Sequence, residues 1–260
     1  MLHSAVFGSR TSVRVHGPLL VVLFSLLGPE PTAGQSELTG TFGVETRIFA
    51  GEPLWIGQPR WLSMSAVAEI EWGGTLGESV FFRTIGRGRG DQSDTDRSYV
   101  ELREALVQWG GADVAVSLGV NTVFWGVTES RHLVDIVNQT DYRADLAGSE
   151  KLGQLMTMAT VFIGPLGALD LFVMTGSRAQ RYPGPGGRPG VPLPVNYESA
   201  EYEAPREAWN IDVAARWELG TGRWDGALSY FRGTAREPQL VPAGTALSPA
   251  LRPRYDLTEQ

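Results

Sequence analysis

From Glu37 onward the chain alternates apolar and polar residues with period two, the spacing that sends successive side chains to opposite faces of a strand. In the first segment Leu38, Phe42, Val44 and Ile48 share one face, and Thr39, Thr41, Glu45 and Arg47 share the other. In the second, Leu62, Met64, Ala66, Ala68, Ile70 and Trp72 oppose Ser63, Ser65, Glu69 and Glu71. A third stretch, about Glu78 to Gly86, sets Val80 and Phe82 against Ser79 and Arg83. Tyr99 to Trp109 is less regular, because Glu101, Arg103 and Glu104 put charge on both faces. Asp113 to Val120, Gln154 to Ile163 and the stretch around Leu169, Leu171 and Val173 continue the habit. So do Trp209 to Trp217 and Trp224 to Tyr230, and a tenth strand is expected to open near Arg254 and Tyr255.

The connections alternate short and long. Gly73 to Gly77, Gly110 to Ala112, Gly164 to Gly167 and Gly220 to Arg223 are short and glycine-bearing, as tight hairpins require. Ala50 to Arg60, Arg87 to Arg97, Asn121 to Gly153, Gly176 to Glu207 and Gly233 to Pro253 read as long loops. This rhythm, with strands of ~9–11 residues, predicts an all-β chain: an antiparallel, up-and-down transmembrane β-barrel of bacterial outer-membrane type. Aromatic residues near strand ends, among them Phe42, Trp61, Trp72, Tyr99, Trp109, Trp125, Trp209, Trp217, Trp224 and Tyr230, fit interfacial girdles. A soluble β-sandwich or lipocalin-like barrel carries the same alternation with the faces reversed.

The first residues change the picture by assigning a compartment. Arg10 and Arg14 precede an apolar run from Leu19 to Leu27, followed by Gly28, Pro29 and Pro31 and the small residues Thr32, Ala33 and Gly34. That order predicts a cleavable secretory signal peptide over 1–34, with the barrel over 35–260 and export to the outer membrane. The run is too short for a spanning helix, which needs ~20 residues.

Composition mainly excludes. The net charge of -7 provides no basic stripe for nucleic acid. The absence of cysteine removes disulfides, thiolate nucleophiles and Cys-based metal sites. His132 is the one histidine beyond the leader, and neither Gly-x-Ser-x-Gly nor His-Glu-x-x-His occurs, so no enzyme is expected.

The inward-facing polar set is expected to comprise Glu45, Arg47, Glu69, Glu71, Arg83, Asp170, Asp212, Arg216 and Asp225. These residues either line a wet lumen that sorts small solutes by charge or form ladders that fill it. Asp135, Asn138 and Asp141, with Asp145 close behind, offer oxygen ligands of the kind that bind Ca²⁺; capping of turns accounts for them equally well, and no other cofactor is implied. Gly86-Arg87-Gly88-Arg89-Gly90 and the acidic Asp91, Asp94 and Asp96 read as loop.

Val123-Phe124-Trp125-Gly126 followed by Asp135-Ile136-Val137-Asn138-Gln139-Thr140-Asp141 resembles a family of proteobacterial outer-membrane barrels akin to alginate-export porins. The resemblance implies an outer-membrane barrel, passive passage of small solutes, contact with lipid and insertion by the barrel-assembly machinery. Such barrels end in an aromatic residue, whereas this chain ends Leu257-Thr258-Glu259-Gln260, so a barrel incomplete at its C-terminus is expected. Two functions stand side by side: a porin-like channel, and a non-conducting barrel that displays its loops for adhesion or partner binding.

Overall fold

The structure, a computed structural model, describes residues 20–25, 36–125, 135–221 and 224–260. The strand β3 (Leu62–Leu76) shows how the sequence pattern becomes architecture. Its even-numbered Leu62, Met64, Ala66, Ala68, Ile70 and Trp72 are exposed, while Ser63 and Ser65 are buried and Glu69 and Glu71 half-buried. The usual order is inverted: the apolar face lies outward and the polar face is covered.

The same inversion recurs on β3's neighbours in an 11-stranded antiparallel sheet, most clearly at its charged end. Along its edge-to-edge order lie β1 (Leu20–Ser25), β2 (Ser36–Ile48), β3, β4 (Val80–Asp91), β5 (Tyr99–Gly110), β6 (Val114–Asn121), β7 (Gln154–Phe162) and β8 (Ala168–Met174). Skipping the two-residue β9 (Glu201–Tyr202), the sheet continues through β10 (Asp212–Thr221) and β11 (Trp224–Thr234). After β12 (Gln239–Thr245) and β13 (Ser248–Tyr255), β14 (Leu257–Glu259) forms the last sheet position. Within this sheet the strands follow chain order, with β9 skipped between β8 and β10 and β12 and β13 skipped between β11 and β14, and the two terminal strands do not pair with each other among the described residues. The fold class is therefore all-β and antiparallel, as expected, in the form of an open meander rather than a closed ring. β1 pairs with β2 from Leu20 opposite Val44 to Ser25 opposite Thr39, so this described part of the apolar run read as a leader lies along the edge of β2.

Short turns gather at one end of the sheet and long connections at the other, in the expected rhythm. Two boundaries need correction. β4 continues to Asp91, so Gly86-Arg87-Gly88-Arg89-Gly90 is strand and not loop. Glycine is weak strand currency by propensity, yet Arg-Gly-Arg is itself a period-two pattern: Arg87 and Arg89 share the polar face with Arg83. The closing strand also differs. Arg254 and Tyr255 end β13, which belongs to a separate three-stranded sheet with β12 and β9; β14 is the strand that joins β11.

The irregular charge in β5 has a single physical cause. Ile85 faces Glu104 but Gly86 faces Leu102, leaving Arg103 as an extra residue, a β-bulge. The bulge reverses the parity of the strand. Glu101 before it, Arg103 within it and Glu104 after it all reach the polar face, while Val100, Leu102, Val107 and Trp109 stay exposed.

At the long-connection end the loops fold over the polar face. Segment 183–190, between β8 and β10, crosses to the far side of the sheet. There Arg188 donates to the carbonyls of Gly51, Glu52, Pro59 and Arg60 at 2.6, 2.7, 3.2 and 3.0 Å. Trp55 Nε1 donates to Pro185 O (2.7 Å) and Gln58 Nε2 to Gly187 O (2.8 Å). The segment must be glycine-rich, because a Cβ on Gly187 would lie 2.4 Å from Asp94 Oδ2 and one on Gly186 2.3 Å from Ser93 O.

Candidate functional site

The site is the polar face and the loops set against it. Strand parity delivers its charges, and their burial forces them to pair, since an unpaired charge away from water is costly. On β2 to β5, Arg83 bridges Glu71 at 2.8 Å and Glu104 at 3.3 Å. Arg87 bridges Glu69 at 3.8 Å and Glu150 at 3.1 Å, and Arg103 also pairs with Glu150. Arg143 binds Asp141 through two nitrogens and Glu101 at 3.0 Å, and stacks 4.3 Å over the Tyr99 ring; Arg178 takes the other Glu101 oxygen. Glu45 pairs with Arg47 and Arg89. Guanidinium suits this task because its planar fork serves two carboxylates at once, consistent with a chain whose only lysine is Lys151.

On β7 to β11 the pairing is sparser. Arg216 and Asp170 face each other across strands, yet Arg216 turns along its own strand to Glu218 (2.7 Å), and Asp170 accepts from Thr160 Oγ1 (2.6 Å). Asp212 holds the fully covered Arg236 at 2.8 Å and accepts from Thr234 N at 3.0 Å. Asp225 sits at the exposed turn end of β11 and joins no ion pair among the described residues. The nine residues expected to face inward thus all carry polar-face parity. Sequence reasoning missed their partners Arg87, Arg89, Arg103, Glu101, Glu104, Glu150 and Arg236, which lie in the glycine-spaced strand, at the bulge or on irregular connections.

Residues 122–125 and 135–153, between β6 and β7, fill part of this face. Trp125, 2% exposed, packs edge-on against Phe172 at 5.3 Å, and with Val137, Met156, Met174, Ala214 and Phe231 forms an apolar core on the otherwise polar side. Trp125 and Tyr99 are therefore turned to the covered face, whereas Phe42, Trp61, Trp72, Trp109, Trp209, Trp217 and Tyr230 are exposed.

Asp135, Asn138 and Asp141 are brought into this connection but do not converge on a common point. Asn138 Oδ1 accepts from Val123 N, and its Nδ2 donates to the carbonyls of Asn121 and Leu152, each at 2.9 Å. Asp135 caps Trp125 N (3.2 Å) and pairs with Lys151 (3.2 Å), while Asp141 is taken up by Arg143. Their geometry is that of loop-pinning residues. Among the described residues no group of three or more acidic or histidine side chains is arranged to hold a metal ion. His132 lies outside the described residues.

Several loop groups have displaced protonation equilibria. Burial, with Asp96 and Asp91 nearby, raises the Asp94 carboxyl above its ordinary range despite hydrogen bonds from Gly184 N and Asp96 N. Asp145 is lowered: burial pushes it up, but the Ser149 hydroxyl and the amides of Ala147 and Ser149 outweigh that. Burial opposes charge on Arg143, and Asp141 and Glu101 more than compensate, lifting it above the usual guanidinium value.

Comparisons with protein-family profiles, curated proteins and solved structures gave no match. What this chain does must be argued from the inverted sheet and the paired charges alone.

Proposed function

We propose that this chain is an outer-membrane β-barrel protein, exported by its N-terminal leader, that passes small solutes along its polar face. One observation carries the reading: Met64, Ile70, Trp72, Val107, Leu118, Leu171, Trp217 and Leu228 are all exposed on one face, while arginines and carboxylates are covered on the other. Water is a poor solvent for so continuous an apolar surface, and lipid is a good one. No helix among the described residues is long and apolar enough to cross a membrane; in this reading the strands cross it, and crossing strands need closure. Removal of the leader would free the edge of β2 from Thr39 to Val44, and β11 carries β14 only against Arg232 to Thr234, so both edges offer backbone for ring-closing strands. Reconstitution of the protein in planar bilayers tests the reading. Stepwise conductance is expected, and membranes that stay sealed at every salt and voltage would overturn it.

The plug formed by Trp125, Val137 and their neighbours favours a second reading, a sealed barrel that presents its loop cap to a partner. Truncation of 135–150 separates the two. A channel would gain conductance and a display scaffold would lose only its partner.

A further inference from the structure

Three guanidinium groups, Arg47, Arg89 and Arg97, meet at the loop end of β2 and β4, and all three address one carboxylate, Glu45. Arg89 Nη2 reaches Glu45 Oε2 at 2.8 Å, Arg47 Nε binds Oε1, and Arg97 Nη2 stands off at 3.9 Å. Beneath them Asp91 offers Arg97 Nε only a 3.5 Å contact and Arg89 a 3.8 Å contact, because its Oδ2 already accepts from Ser65. Asp145 acts on Arg47 from the 122–153 connection, as the weakest of the influences on that carboxyl. The cluster holds more donors than acceptors. Arg47 Nη1, Arg89 Nε, Arg97 Nε and Arg97 Nη2 are covered atoms with no hydrogen-bond partner. The side chains of Arg89 and Arg97 are 1% and 2% exposed, whereas Glu45 and Arg47 keep 27% and 24%, so the shared carboxylate is the accessible member. Burial, with Arg89 and Arg47 so close, draws the Arg97 pKa down to about 10.

We infer that Glu45 is an exchangeable counter-ion occupying an anion seat, and that a carboxylate or phosphate group of a solute displaces it onto Arg47, Arg89 and Arg97. A glutamate oxygen pair cannot serve three forks at once. An incoming oxyanion with free orientation can take the idle N–H groups, and Glu45, tethered at the rim, swings toward solvent as it enters. The exchange is ionic, with no bond made or broken. The role of this seat in solute selection rests on the channel reading, but occupancy of the seat does not, and its test needs no pore.

The test is chemical rescue of Glu45→Ala in detergent-solubilised protein. Melting is followed in sodium acetate, sodium phosphate and sodium chloride at matched ionic strength. The variant is expected to melt below the wild type in chloride and to recover most of the loss in acetate or phosphate. The better rescuer identifies the preferred group as carboxylate or phosphate. Adding Arg47→Gln should abolish the recovery. Equal melting in all three salts would overturn the seat. If Glu45→Ala does not fold, Glu45→Gln serves in equilibrium dialysis with radiolabelled inorganic phosphate. There, binding about tenfold tighter than wild type is expected, the worth of one charge-assisted hydrogen bond; binding no tighter than wild type would overturn the seat.

Discussion

Gly119 sits in β6 at φ 136°, where a Cβ would fall 2.1 Å from the carbonyl oxygen of Ala105. Gly119→Ala must strain the backbone or part β5 from β6, so a loss of about 2 kcal/mol or more is expected in denaturant unfolding. Asp212 illustrates a different risk at the same scale. Asp212→Ala leaves Arg236 covered and unpaired, with an expected cost of about 3–5 kcal/mol, whereas Glu201→Ala at the exposed Arg252 pair should cost under about 1 kcal/mol. Asp212 was legible from strand parity. Arg236 was not, because it lies just past β11 on a connection, where no period tells which way a side chain points. Acid should act on two loops in opposite directions. Asp94, raised in the fold, contributes most below its unfolded pKa and loses that contribution as pH climbs through the folded value. Asp145, lowered in the fold, contributes above its unfolded pKa and loses it as pH falls. Hydrogen exchange corrected for intrinsic rate should therefore slow at Arg97, whose amide donates to the Asp94 carbonyl, as pH falls from neutral toward the ordinary carboxylate range, and quicken at Ala147 and Ser149 only in stronger acid, below that range.

Among the elements, β5 carries the most information per residue. Its bulge at Arg103 is a parity switch, so deleting that residue would turn Glu101 and Tyr99 onto the apolar face and pull Val100 and Leu102 onto the polar one. The deletion is expected to abolish the cooperative unfolding transition in denaturant, while Arg103→Ala keeps the bulge and the fold. The alternation in β2, β3, β8 and β10 could be read directly from the sequence, because regular strands express period two without interruption. The bulge could not, since one extra residue makes two frames that each look imperfect. The upper half of β4 was missed for a compositional reason: glycines between arginines were taken as turn formers, although the outward positions they fill demand nothing of a side chain. The ion pairs from β5 to the 122–153 connection were beyond reach, since they depend on how an aperiodic segment folds back.

For the whole molecule, the question is which solvent the apolar face meets. Ile70 is 59% exposed in mid-strand, and its replacement by arginine discriminates sharply. If that face meets lipid, Ile70→Arg should cost about 2–4 kcal/mol in vesicle-embedded unfolding, and if it meets water, almost nothing. The direction of the faces was open in the sequence, because a sandwich and a membrane barrel share one alternation. In the structure the arginine-bearing side is the covered one.

Sequential pairing makes the sheet a zipper, but the Arg188 clasp onto residues 51–60 laces a late connection to an early one. Under tension from an atomic-force tip at the N-terminal end, the β2–β3 hairpin should therefore resist until that lace gives way. With Arg188→Ala the first rupture should come at lower force, and the remaining hairpins should then peel away in order.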